Sequence, residues 1–118
     1  MSFGTGPIKV VDKLWGHEEI LVNEPEYCCK RLYLNPGFQC SLHYHRIKKE
    51  TFIVEKGAIR LKHGEEIMVL DRYDAPRTIL PNTPHRFNAF RDPAVILEVS
   101  THHDDEDVVR LEPSRKLP

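Results

Sequence analysis

The chain has 118 residues, 18 acidic and 17 basic, for a net charge of -1 with histidine neutral. That length holds one domain able to bury its own core. The lack of a basic excess argues against nucleic acid or an anionic membrane as partner, and no apolar run approaches the ~18–20 residues that span a bilayer. Met1 to Pro7 lack the basic start and apolar stretch of a secretion signal, so a cytoplasmic location is expected.

Residues 1–7 read as an N-terminal arm, 8–112 as one barrel with a C-terminal extension, and 113–118 as a tail. The arm is expected to add a strand to a neighbouring subunit's sheet edge, which makes a homodimer the expected assembly. From Ile8 onward the chain is a series of short β-branched or aromatic runs. Strands are predicted at 8–11, 19–22, 27–34, 40–45, 51–55, 58–62, 66–70, 78–80, 85–90 and 94–101. Asn35-Pro36-Gly37, Lys56-Gly57, His63-Gly64, Asp74-Ala75-Pro76, Pro81-Asn82-Thr83-Pro84 and Asp92-Pro93 punctuate them. Nine prolines argue against long helices, and only 104–110 reads as a helical turn. Many short strands at regular spacing predict a single all-β sandwich or small barrel. Cys28, Cys29 and Cys40 are too few and too poorly spaced for a disulfide framework, and read as reduced thiols.

Alternation assigns faces along two strands. In 27–34, Lys30 shares the more apolar face with Cys28, Leu32 and Leu34, an expensive place for an ammonium unless it is paired or functional. In 94–101, Glu98 shares a face with Ile96 and Ser100, opposite Val95, Leu97 and Val99. Pattern alone leaves open which side faces inward, and taking the more apolar face as core turns Glu98 outward.

Chemistry concentrates in His43-Tyr44-His45. On a strand, residues two apart lie on one face, so both imidazoles reach the same site. Glu50 follows across a bend at 46–49 and returns to that face from the next strand. His85 opens a later strand after the 81–84 turn. Three neutral imidazoles and one carboxylate suit a borderline divalent ion, and leave it a net positive charge for an added oxygen ligand. Mn, Fe, Co, Ni and Zn all accept these donors; manganese is the expected one.

Gly37, five residues, His43-x-His45, four residues, Glu50, six residues and Gly57 match the first motif of the cupin superfamily, which the chain resembles. The second motif is looser around His85: Asn82 stands where many members have glycine, Pro81 falls one position late, and Asn88 falls early. The resemblance implies a small jelly-roll barrel with its metal inside. Trp15 to Leu21, Cys29 to Leu32, Pro36-Gly37 and Glu106 to Glu112 further resemble the cupin domain of type II mannose-6-phosphate isomerases. That family tends to have Gln where this chain has His43. The intact His43/His45/Glu50/His85 set, and Leu97-Glu98-Val99-Ser100 with Asp104-Asp105, are instead similar to D-lyxose isomerases.

In those isomerases a lysine thirteen residues before the first ligand histidine and the glutamate of the Glu-Val-Ser run line the site. The resemblance therefore implies that Lys30 and Glu98 are catalytic, with Glu98 facing inward. The implied reaction is aldose–ketose isomerisation of a D-lyxose- or D-mannose-like sugar, free or phosphorylated. The metal polarises the carbonyl and stabilises an enediolate, Glu98 moves the proton, and Lys30 serves as its acid partner. A dioxygenase using Fe(II) and a non-catalytic sugar-binding cupin are the competing readings. Arg110 is a weak candidate for substrate binding; a surface ion pair with Asp107 is the simpler expectation. His17, His63, His102 and His103 read as surface residues, and Trp15 and Phe52 as core.

Overall fold

The computed structural model describes residues 9–118, so the arm read at 1–7, the strand it is expected to lend, and Ile8 lie outside the described residues. Runs rich in Val, Ile, Leu, Tyr and Phe form the strands, since such side chains pack well on a pleated surface. In chain order these are β1 (Lys9–Lys13), β2 (Gly16–Asn23), β3 (Cys28–Leu34), β4 (Phe38–Gln39), β5 (Leu42–His45), β6 (Glu50–Lys56) and β7 (Ala58–His63). There follow β8 (Glu66–Asp71), β9 (Arg77–Ile79), β10 (His85–Ala89), β11 (Ala94–Ser100), β12 (Val108–Glu112) and β13 (Arg115–Lys116). No helix among them is long and apolar enough to cross a membrane.

The predicted helical turn at 104–110 is corrected. Only Asp105–Asp107 turns, as a 3-10 helix capped by the Asp104 side chain, which accepts from the Glu106 N–H at 2.9 Å. Val108 and Val109 then extend, because β5 offers a partner strand: Val108 pairs with His45 and Val109 with Tyr44. The segment read as a tail also returns to the sheet. Arg115 and Lys116 pair with Gln39 and Phe38, and the Leu117 N–H donates to the Gly37 carbonyl at 2.8 Å.

Every pairing is antiparallel. One sheet runs β1-β2-β3-β11-β6-β9; the other runs β12-β5-β10-β4-β13, with β7 also on β10 and β8 beyond it. Neither closes on itself, and their inner faces share one core. Phe52 of the first sheet and Phe87 of the second meet edge to face at 5.7 Å, and Trp15 meets Phe87 at 5.4 Å. Trp15 and Phe52 thus belong to the core, as expected. The three cysteines are free, and burial pushes the Cys40 thiol up to about 12.

The inner faces of β3, β6 and β11 change character along their length. At one end Leu32 and Leu34, Val54, Ala94 and Ile96 are buried, with Ile96 opposite both Leu32 and Val54. At the other end the buried positions are Cys28, Lys30, Glu50, Glu98 and Ser100, with Glu98 opposite Lys30 and Ser100 opposite Cys28 and Glu50. One half of the sandwich is a hydrocarbon core and the other a polar chamber.

Gly57, the last residue of the histidine motif, closes the tight link between β6 and β7 in the left-handed region, with φ of +69°, and an added Cβ there meets the Pro93 carbonyl oxygen at 2.6 Å. Gly57→Ala is expected to lower the unfolding free energy by about 2 kcal/mol, read as a lower urea midpoint with an unchanged slope; an unchanged midpoint contradicts the strain.

Candidate metal centre

The donor set bridges the two sheets. His43 and His45 lie on β5, and His85 opens β10 as the cross-strand partner of His43, so all three imidazoles come from one sheet. Glu50 opens β6 in the other. One donor atom from each of the four lies within 4.8 Å of all the others. The 81–84 turn that delivers His85 is tied to the ligand strand: the Asn82 N–H donates to the His45 carbonyl at 2.6 Å. Asn82 has φ of +63°, which explains why this position, glycine in many cupins, accepts asparagine.

Backbone carbonyls fix two tautomers. His43 Nδ1–H donates to Ser41 O at 2.8 Å, and His85 Nδ1–H to Thr83 O at 2.8 Å. A carbonyl only accepts, so each neutral ring turns its Nε2 lone pair the other way. His85 Nε2 then sits 2.6 Å from Glu50 Oε1. A doubly protonated ring makes such a contact an ion pair, but the alignment is wrong for a ring N–H donor, and both atoms are buried without a hydrogen-bond partner. His45 Nδ1 is likewise buried and unpartnered, and His45 Nε2 is 3.5 Å from the same Oε1. Two acceptor atoms facing each other in a dry interior are satisfied by a cation between them. Burial, reinforced by the neighbouring His85, pulls His43 down to about 3; burial, then the Lys48 ammonium, pulls His45 down to about 2. Both are neutral at pH 7, the form that coordinates a metal. The residues present therefore fit a divalent ion.

Lys30 and Glu98 reach the same cavity, about 590 Å³ in volume, whose apolar wall includes Trp15, Phe52 and Phe87. The apolar-face rule, which turned Glu98 outward, is corrected. Val95, Leu97 and Val99 cover the outside of the sheet, Val99 being 44% exposed, whereas Glu98 is buried. A carboxylate tolerates that position because it is paired: Lys48 Nζ lies 3.0 Å from its Oε2. Burial by itself raises the Glu98 carboxyl; Lys48, with Lys30 behind it, outweighs that and holds it below the ordinary carboxylate range. Lys30 is buried too, and its ammonium is 3.3 Å from Glu18 Oε2. This answers the cost expected of its face.

Arg110 lines the cavity but is exposed, and no ion pair joins it to Asp107 among the described residues. The expected pair does not form because the Asp107 carboxylate is otherwise engaged, accepting the backbone N–H groups of Arg46, Ile47 and Lys48 at 3.0, 3.0 and 2.9 Å. His103, read as a surface residue, lines the cavity instead, with Nδ1 3.3 Å from Lys48 Nζ. His17 stacks on Tyr33 at 4.4 Å, and His63 accepts from Arg77 Nε at 2.9 Å. Lys48 itself was missed in the sequence. It sits in the bend between β5 and β6, where strand alternation assigns no face, so the sequence carries no signal for its inward direction.

The family model described as "Mannose-6-phosphate isomerase C-terminal" matches residues 8–113. A D-lyxose/D-mannose isomerase of Thermosediminibacter oceani is 30% identical, over 82% of this chain and 68% of its own length. A mannose-1-phosphate guanylyltransferase of Salmonella muenchen is 31% identical over 83% of this chain, but the match spans only 21% of that relative. Among solved structures, oxalate decarboxylase of Bacillus subtilis superimposes with a TM-score of 0.77 at 18% identity, covering 91% of this chain and 31% of that one. That likeness shows the fold, a cupin jelly roll.

The lowered histidines have a measurable consequence in the metal-free chain. Unfolded, His43 and His45 regain a value near 6.5 and bind protons that the native state refuses until about pH 3 and 2. The unfolded state thus holds more protons between those limits, and stability falls as pH drops from 6.5 toward 3. Urea midpoints measured from pH 7 to 4 are expected to decline, and to decline less steeply in His43→Gln; equal slopes contradict the assignment.

Proposed function

The chain belongs to the mannose-6-phosphate isomerase C-terminal family of cupin domains, and from that membership we propose that it is a metal-dependent aldose–ketose isomerase acting on a D-lyxose- or D-mannose-like sugar. One observation carries the reading: three donors of the four-residue cation site, His43, His45 and Glu50, line the same cavity as the buried carboxylate of Glu98. The 30% identical D-lyxose/D-mannose isomerase supports it, as the relative that this chain covers over two thirds of its length. Manganese is the proposed ion, and a cytoplasmic homodimer the proposed form.

His43, His45, Glu50 and His85 would hold the ion, which supplies Lewis-acid polarisation of the sugar's carbonyl and neighbouring hydroxyl when bound. The chain's own groups account for the remaining chemistry. Lys48 occupies Glu98 Oε2, which leaves Oε1 to take the proton from the carbon next to the carbonyl. The same oxygen returns it one carbon away while the proton of the neighbouring hydroxyl passes to the former carbonyl oxygen, so two hydrogens change position and no outside oxidant or reductant is consumed. Lys30, directly across the β3–β11 ladder from Glu98, presents an ammonium that protonates or steadies the sugar oxygen whose charge shifts. Glu18 holds that ammonium in place. Trp15, Phe52 and Phe87 keep one wall of the chamber dry, which strengthens every charge interaction inside it. Arg110, at a less buried point of the lining, is the proposed contact for the far end of the sugar.

A screen of pentoses and hexoses, free and phosphorylated, against the manganese-loaded chain is expected to yield ketose. Glu98→Gln and Lys30→Met are each expected to lower turnover by about 100-fold or more while keeping their manganese content. Unchanged turnover in both variants ends the assignment of those two residues.

A further inference from the structure

We propose that Lys48 is a positioning residue of this centre, an internal cation that ties the ligand carboxylate Glu50 to the proposed base Glu98. The inference rests on the reading of Glu98 as base, and it concerns one of the four residues between the motif's ligands His45 and Glu50.

The geometry is that of a filled hub. Lys48 Nζ lies 3.0 Å from Glu98 Oε2, 3.3 Å from Glu50 Oε2 and 3.3 Å from His103 Nδ1. An ammonium has three donors and no acceptor, and here it finds three acceptors. His103 can accept because its other nitrogen donates: Nε2 is 2.7 Å from Asp105 Oδ1. The side chain is 2% exposed, so solvent does not compete for these contacts.

The backbone carrying Lys48 is held equally firmly. Asp107, itself buried, accepts the N–H groups of three successive residues, Arg46, Ile47 and Lys48. A carboxylate that gathers three amides fixes the bend between the ligand strand β5 and the ligand-bearing start of β6. Asp107 is therefore the anchor, and Lys48 the arm that reaches inward from it.

Two effects follow for the centre. Lys48 engages Glu50 Oε2, so only Oε1 faces the ring nitrogens, and the carboxylate is confined to offering one oxygen. Lys48 also engages Glu98 Oε2, which fixes the plane of that carboxylate relative to Glu50. Glu50 and Glu98 come from neighbouring strands of one sheet and repel each other in a low-dielectric chamber. The cation between them sets their separation.

The test uses the full chain with Co2+ as probe, because its d–d absorption reports the number and kind of coordinating atoms without any sugar. Lys48→Met is expected to change the band intensity and position, since Glu50 is freed to offer its second oxygen. With a turned-over sugar, the same variant of the manganese-loaded chain is expected to lose about 10- to 100-fold in kcat with KM within threefold, and to add less than threefold to the loss already caused by Glu98→Gln. If Lys48→Met is too unstable to load, Lys48→Gln, which still donates to one carboxylate, carries the same spectral test. A Co2+ spectrum superimposable on that of the unmodified chain overturns the proposal, whether or not any sugar is turned over. Absence of ketose with the unmodified chain overturns the isomerase reading alone and leaves the spectral result to decide on Lys48.

Discussion

A carboxylate oxygen and an imidazole lone pair face each other at 2.6 Å in the interior, both without a hydrogen-bond donor. Each atom was taken from water at a cost that nothing in the protein repays, and a cation is the one partner that satisfies both. The rest of the molecule is arranged around that requirement. Backbone carbonyls at Ser41 and Thr83 hold the proton on the far nitrogen of two rings, so the lone pairs cannot turn away. The donors come from both sheets, so an ion held there joins the halves of the sandwich.

The second ring of charge follows from the first. Placing Glu50 and Glu98 on neighbouring strands puts two buried carboxylates in one chamber, an unfavourable arrangement without a counter-cation. Lys48 provides that charge between them, and Lys30 with Glu18 forms a separate, matched pair on the adjacent strand. A carboxylate held as far toward ionisation as Glu98 is a weak base. In its proposed role as base it would take a carbon-bound proton only from a substrate whose carbonyl is already polarised, which would couple it to the cation site. The same buried neighbours that keep the carboxylate in place thus restrict what it can do on its own.

Much of this was legible in the residues. The period-two repeat of His43 and His45, the spacing to Glu50 and the turn before His85 gave the donor set, and β-branched runs between Gly and Pro turns gave the strands. Three readings failed for identifiable reasons. Alternation on 94–101 reports which face is more apolar, and here the more apolar face lies outside while the paired Glu98 lies inside. Val108 and Val109 were absorbed into a helical turn because their strand partner, β5, lies more than sixty residues earlier in the chain. Asp107 looked like a surface partner for Arg110 because three amides from 46–48 are invisible at that distance in sequence. Lys48 hid in a bend with another lysine beside it, where strand alternation assigns no face.

The central claim is that this chamber moves a proton between adjacent carbons of a sugar with a divalent ion in place. The most direct measurement is proton NMR of the manganese-exchanged, zinc- or cobalt-loaded chain with D-mannose and D-lyxose in D2O. The account predicts a ketose that appears only with metal, its new carbon-bound hydrogen delivered by the Glu98 carboxyl and so either the original one or solvent deuterium exchanged at that group. No ketose with metal present, or equal conversion after the metal is removed by chelation, contradicts it.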